Sequence, residues 1–202
     1  MRVISGSAKG RPLKAVPGMN TRPTTDKVKE AIFSMIGPYF ESGSVLDLFA
    51  GTGGLGIEAL SRGMDKAVFI DASKASVDIV KENLKAANLA EQAEVYRNDA
   101  GRALKVMAKR GLAFDLVFLD PPYRLKTIAD LIVQLQEFGL LADNAVVVAE
   151  HDAGDAYPDR IGQAVCIKRA NYGDTSVSIY KLEQTNPGQP ENNAAGRDAQ
   201  TE

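Results

Sequence analysis

Val45-Leu46-Asp47-Leu48-Phe49-Ala50-Gly51-Thr52-Gly53-Gly54-Leu55-Gly56 is the stretch that decides the fold. It opens on a short apolar run, Val45 to Phe49, of strand length. Gly51, Gly53 and Gly56 then satisfy G-x-G-x-x-G, and Gly54 to Arg62 reads as a helix stopped by Gly63. A strand, a glycine turn and a helix form the opening unit of a doubly wound α/β sheet, which binds its ligand at the turn. Glycine is required where the backbone turns sharply and approaches a ligand too closely for a side chain.

The same alternation continues on the C-terminal side. Ala67–Ile70 is a second strand, and Ser73 caps a helix that runs through Val77, Val80 and Leu84 to about Asn88. Ala93–Tyr96 is a third strand, Arg102–Lys109 a helix, and Phe114–Leu119 a fourth strand. A helix over about 127–137 precedes Ala145–Ala149, a strand apolar throughout and so buried on both faces. Ala164–Lys168 and Thr175–Leu182 read as a terminal hairpin around Asn171-Tyr172-Gly173-Asp174. On the N-terminal side, Val28, Ala31, Ile32, Met35 and Ile36 form one stripe of an amphipathic helix, with cap chemistry at Thr24, Thr25 and Asp26. Residues 1–23 suggest a short hairpin or an arm. From about Gln184 large apolar residues are almost missing, and a disordered tail over 183–202 is expected. Residues 1–182 are expected to form one domain.

Acids recur at successive strand ends. Asp47 precedes Gly51 by four residues, beneath the turn. A carboxylate there suits a cationic amino group and not a pyrophosphate, since a buried acid facing phosphate is costly. That favours S-adenosylmethionine over a nicotinamide dinucleotide. Asp71 ends the second strand, where an acid commonly accepts ribose hydroxyls. Asp99 follows the third strand; it can accept from an adenine amine, cap the next helix, or do both.

Asp120-Pro121-Pro122-Tyr123 ends the fourth strand, at the sheet edge where ligands bind. Two prolines fix φ twice and remove two N–H donors, leaving stiff backbone with free carbonyls. An exocyclic amine is a poor nucleophile because its lone pair is delocalised into the ring. Asp120 and the Pro121 carbonyl can accept its two N–H groups and expose that lone pair. Tyr123 can stack on the base, a contact worth roughly 1–3 kcal/mol. A base reaches such a pocket only by leaving its stack.

The bulk properties agree with a cytoplasmic protein of ordinary globular composition, 45% hydrophobic and 25% charged. One cysteine, Cys166, excludes an internal disulfide, and no Cys/His cluster suggests a metal. No apolar run approaches membrane-span length. The net charge of −2 conceals a basic N-terminus: residues 1–30 hold seven basic residues against two acidic ones, a net +5. A polyanionic partner is one expectation from this arm; a merely solvated terminus is the other. His151, beside Glu150 and Asp152, is read as a loop-surface or hydrogen-bonded residue, and Cys166 as core.

The stretch from Asp47 to Gly63 resembles the cofactor loop of the RsmD-type 16S rRNA methyltransferases, which modify the N2 amine of a guanine. Arg2-Val3-Ile4-Ser5-Gly6, Gly10-Arg11-Pro12-Leu13 and Thr21-Arg22-Pro23-Thr24-Thr25-Asp26-Lys27-Val28-Lys29-Glu30 are similar to that family too. Arg-Pro-Thr-Thr-Asp is the most specific of these signals, since the glycine loop and Asp-Pro-Pro-Tyr are shared with many amino-methyltransferases. Tyr123 stands where some members carry Phe. The resemblance covers about residues 1–182 and implies a Rossmann-like class I methyltransferase with a seven-stranded, mostly parallel sheet and an antiparallel last strand. It implies S-adenosylmethionine along Asp47, Phe49, Ala50, Gly51, Thr52 and Gly53, with Asp71 and Ala72, and Asp99 and Ala100. Catalysis would fall to Asp120, Pro121, Pro122 and Tyr123, and grip on 16S rRNA to Lys9, Arg11, Lys14 and Arg22. The expected substrate is a partly assembled small subunit, met by a monomeric enzyme. The alternatives are a DNA adenine-N6 or cytosine-N4 methyltransferase, a protein-glutamine methyltransferase, an inactive nucleic-acid-binding relative, or a NAD-dependent oxidoreductase. DNA enzymes usually add a target-recognition domain, for which 202 residues are expected to leave no room. The glutamine enzymes normally carry Asn where Asp120 stands.

Overall fold

A computed structural model describes residues 1–17, 25–122 and 125–183. The expectations for Arg22, Tyr123 and the tail from 184 therefore lie outside the described residues, as does part of the Arg-Pro-Thr-Thr-Asp segment.

The elements follow one another as α1 (Asp26–Ile36), β1 (Ser44–Asp47), α2 (Gly54–Ser61), β2 (Lys66–Asp71) and α3 (Lys74–Ala86). Then come β3 (Ala93–Arg97), α4 (Ala100–Lys109), β4 (Phe114–Leu119), α5 (Ile128–Glu137) and β5 (Leu141–Asp152). The chain closes with β6 (Arg160–Ile161), β7 (Ala164–Tyr172) and β8 (Thr175–Leu182). The strands form one sheet in the order β3-β2-β1-β4-β5-β8-β7-β6. β1 to β5 run parallel, and β8 is antiparallel to both β5 and β7. The mostly parallel sheet with a reversed last strand is thus present. Eight strands are formed where seven were expected, because the two-residue β6 pairs with the start of β7. The order reverses between β1 and β4, which opens the crevice at their C-terminal ends.

Strand alternation builds two cores, one on each face. Val45, Phe69, Leu116, Phe118, Val148 and Ile179 point to the face covered by α1, α2 and α3. Leu46, Val68, Val117, Leu119, Val147 and Tyr180 point to the face covered by α4 and α5. Each such side chain contributes roughly 1.5–3 kcal/mol when fully buried. Caps set the helix starts: Thr25 Oγ1 accepts from Val28 N–H, and Ser73 Oγ accepts from Ser76 N–H.

The N-terminal segment is part of the first core and not a free arm. Val3, Ala8 and Leu13 are buried there, and Arg2 bridges Pro12 in a short antiparallel contact. Glu58 of α2 ties it down. Its carboxylate accepts Ile4 N–H at 2.8 Å and Ser5 N–H at 3.0 Å, and it pairs with Arg62 at 2.8 Å and Lys29 at 3.4 Å. Lys29 and Glu58 are both fully buried, and Lys29 also donates to the Arg2 carbonyl. Burial pushes the Lys29 ammonium below its ordinary value, with Glu58 pulling the other way. Gly6 makes the close approach to α2 possible: it has φ +85°, and a Cβ there would lie 1.7 Å from the Ser61 carbonyl oxygen.

Candidate functional site

The C-terminal ends of β1, β2, β4 and β5 surround one mouth. β1 ends at Asp47, which is buried, and its Oδ2 accepts Gly56 N–H at 3.0 Å. Burial raises its pKa to about 7; the Gly56 bond works against this, and the charge of Asp71 adds to it. Gly56, in the first turn of α2, is a packing requirement, since a Cβ there would meet the Phe69 ring at 2.3 Å. The chain then turns through Gly51 at φ +54° and Gly53 at φ +78°, and Gly53 is the N-cap of α2. A Cβ on Gly51 would find nothing within 4 Å, so the turn faces open space.

Asp71 has a role the sequence did not reveal. Its Oδ2 accepts Gly51 N–H at 2.9 Å and its Oδ1 accepts Ser73 N–H at 2.8 Å. It holds the glycine turn from the neighbouring strand, and each oxygen keeps a second acceptor direction for a ligand hydroxyl. Asp99 caps α4 by accepting Arg102 N–H at 3.2 Å and stays exposed. Phe49, Thr52 and Ala100 are half-buried, Ala50 is buried, and Ala72 is exposed. They line the turn and the starts of α3 and α4.

β4 delivers Asp120 half-buried, Pro121 buried and Pro122 exposed, and Leu125 N–H donates to the Pro122 carbonyl at 2.9 Å. Asp120 is raised well above the usual carboxylate range by burial, then by the charges of Glu150 and Asp47. Glu150 was not singled out from sequence as a site residue. β4 and β5 pair with Leu119 opposite Ala149, so the next residues, Asp120 and Glu150, come level. Three carboxylates on adjacent strands therefore flank the mouth, which favours a ligand carrying positive charge.

The lesser expectations resolve plainly. His151 is hydrogen-bonded, as one of its two readings had it, but on a strand and not a surface loop: it lies buried in β5, with Nδ1 bonded to the Asp152 carbonyl and Nε2 to Ser178 Oγ, each at 2.9 Å. Its ring packs edge-on against Tyr157. Cys166 is half-buried and packs against the second core. Asn171 and Tyr172 belong to β7, which leaves Gly173-Asp174 as the hairpin turn. Of the basic residues, Lys9 and Arg11 are exposed and Lys14 pairs with Glu82.

The raised pKa of Asp47 has a measurable consequence. A carboxyl raised in the fold contributes stability that is complete below its unfolded value and is lost as pH rises through its folded value, here about 7. Relative to wild type, ligand-free Asp47→Asn should gain melting temperature steadily between about pH 4 and pH 7 and hold that gain above it. Thermal melts of both proteins across that range check this; a difference independent of pH contradicts it.

A family model described as "Conserved hypothetical protein 95" matches residues 1–181. "Putative rRNA methyltransferase YlbH" of Bacillus subtilis (strain 168) is 54% identical over 181 residues, 90% of this chain and 98% of that protein. "Ribosomal RNA small subunit methyltransferase D" of Escherichia coli (strain K12) is 34% identical over 186 residues, 91% of this chain and 90% of that protein. The solved structure "Putative methyltransferase yhhF from Escherichia coli" superposes with a TM-score of 0.76 at 33% identity, covering 91% of this chain and 98% of that one. Matched along nearly its whole described length, the chain belongs to the RsmD-type family of ribosomal RNA methyltransferases.

Proposed function

We propose that this chain transfers a methyl group from S-adenosylmethionine to the exocyclic N2 amine of a guanine in the 16S rRNA of a partly assembled small ribosomal subunit, acting as a monomer in the cytoplasm. The observation that carries it is Asp120, held at the end of β4 beside the glycine turn with its proton affinity raised by burial and by Glu150 and Asp47.

The mouth fits the cofactor. Gly51 leaves room for it, Asp71 would take the ribose hydroxyls, Asp99 the adenine amine and Asp47 the amino group. Bound there, the cofactor supplies an electrophilic methyl on a sulfonium. The three acids favour that positive charge and have no use for a phosphate. Asp120 and the Pro121 carbonyl accept the two N–H groups of the target amine and leave its lone pair directed at the methyl. Asp120, with its raised affinity, then takes the proton as the nitrogen acquires charge. Holding the amine in this pose removes much of the barrier. The stacking ring of Tyr123 completes the proposal.

The test uses small-subunit particles and total DNA from a strain lacking the gene. The purified protein should place labelled methyl on guanine N2 of 16S rRNA in the particles, read by nucleoside mass spectrometry. Methyl on adenine, on cytosine or in DNA overturns the assignment.

Lys9 and Arg11 are exposed members of the basic segment, as are Arg2 and Lys14, which pair with Asp26 and Glu82. Replacing Lys9 and Arg11 with alanine should weaken RNA binding and flatten log Kd against log salt by about 1.5 units. An unchanged slope in filter binding counts against the basic segment as the RNA grip.

A further inference from the structure

Asn83 of α3 is 1% exposed, and its amide is bonded on both sides. Oδ1 accepts Lys14 N–H at 2.8 Å, while Nδ2 donates to the Lys14 carbonyl at 3.1 Å and to the Thr52 carbonyl at 2.9 Å. One buried side chain thus clamps both backbone groups of a residue in the basic N-terminal segment and one backbone group of the glycine turn. A second link runs beside it. Leu13 N–H donates to the Met1 carbonyl, and the Met1 sulfur lies 3.8 Å from Thr52 Oγ1 and 3.2 Å from where a Cβ on Gly54 would sit.

We propose that Asn83 is a positioning residue that couples RNA held on the N-terminal segment to cofactor held in the glycine turn. This rests on the proposed function, in which that segment grips rRNA. Asn83 serves neither ligand directly: it is buried, and its donors and acceptor are spent on backbone. What it does is make the segment and the turn one mechanical unit. RNA that immobilises Lys9, Arg11 and Lys14 immobilises the Thr52 carbonyl through Asn83, so the cofactor meets a turn with less ordering left to undergo. Linkage makes the effect reciprocal: cofactor in the turn must tighten RNA by the same factor. Exposed Glu82, one residue earlier, pairs with the Lys14 ammonium among the described residues and provides the control.

The experiment measures the Kd of S-adenosylhomocysteine for the full chain by calorimetry, with and without saturating 16S rRNA in small-subunit particles from a strain lacking the gene, in wild type, Asn83→Asp, Asn83→Ser and Glu82→Ala. Wild type and Glu82→Ala should bind the cofactor product roughly fivefold or more tightly when RNA is present. Asn83→Asp keeps the acceptor and loses both donors, so its coupling factor should fall to about one. Asn83→Ser should behave alike, and both variants should raise the two KM values while keeping kcat at saturation. Hydrogen exchange at Thr52–Gly54 should be slowed by RNA in wild type and not in either Asn83 variant. An equal coupling factor in wild type and in a folded Asn83 variant overturns the coupling alone. Wild type that binds both ligands without coupling overturns it too. If neither Asn83 variant folds, the amide is a fold element and the proposal fails. RNA that does not bind wild type at all overturns the proposed RNA grip, and the coupling falls with it.

Discussion

Asp120→Ala should lower kcat for methyl transfer by roughly 10²–10⁴-fold, the range for removing a positioned proton acceptor. Affinity for S-adenosylhomocysteine should change little. The variant should not unfold, because it removes one of three carboxylates crowded at the mouth: the charges of Glu150 and Asp47 disfavour ionised Asp120 in the native state. Its ligand-free melting temperature should match or exceed that of wild type. Asp120→Asn keeps one acceptor oxygen and cannot take the proton, so it should recover binding geometry but not rate. The pH profile supplies a separate check. Since Asp120 titrates well above the ordinary carboxylate range, kcat/KM of wild type should fall on the acid side at a pH higher than a solvent-exposed aspartate would give. Stopped-flow or filter-based methyl transfer with undermethylated subunits measures all of this. Full activity in Asp120→Ala would remove the proposed chemistry.

Glu58→Ala should destabilise the fold by roughly 3–5 kcal/mol, the cost of leaving buried charge without its partner. Lys29 and Arg62 would both face an empty site, and the Ile4 and Ser5 N–H groups would lose their acceptor. For a chain of this size that corresponds to a fall in melting temperature of roughly 6–20 °C. Arg62 is partly retained, because it also donates to the Pro38 carbonyl at 3.0 Å and lies over the Phe33 ring. Glu58→Gln keeps one acceptor oxygen, enough for either Ile4 N–H or Ser5 N–H, and loses the other acceptor and the charge, so its stability should fall between wild type and Glu58→Ala. Denaturant titration reads the change; a loss below about 1 kcal/mol would mean the network is not what fastens the N-terminal segment.

Short-range pattern carried most of the architecture. Strand β1, the glycine turn and α2 announce themselves because an apolar run, three spaced glycines and an apolar helix stripe are each local. The same holds for Ser73 and Asp99 as caps, each of which bonds an N–H three residues ahead. Asp120 was legible because two prolines mark the place where β4 must stop. The elements missed are those defined by a partner. β6 is two residues that count as a strand only through β7. β5 extends past the apolar run to Asp152, and so takes in His151, because β8 pairs with it as far as Thr175.

The site divides along the same line. From sequence alone came the chemistry: the order of strands and helices, the glycine turn, the acids at strand ends, and Asp-Pro-Pro-Tyr as a pair of acceptors with a ring. Tertiary structure alone decided which of those groups meet. Parallel register brought Glu150 level with Asp120, and Asp71 back onto the Gly51 amide. Lys29 counts as one more positive charge of a basic arm when read along the chain, yet in the fold it is sealed against Glu58, 29 positions away. Asn83 reaches back to Lys14 across 69 positions. Local pattern cannot specify such pairs, because a buried polar group takes whichever partner packing brings within reach, and packing is settled by the whole chain at once.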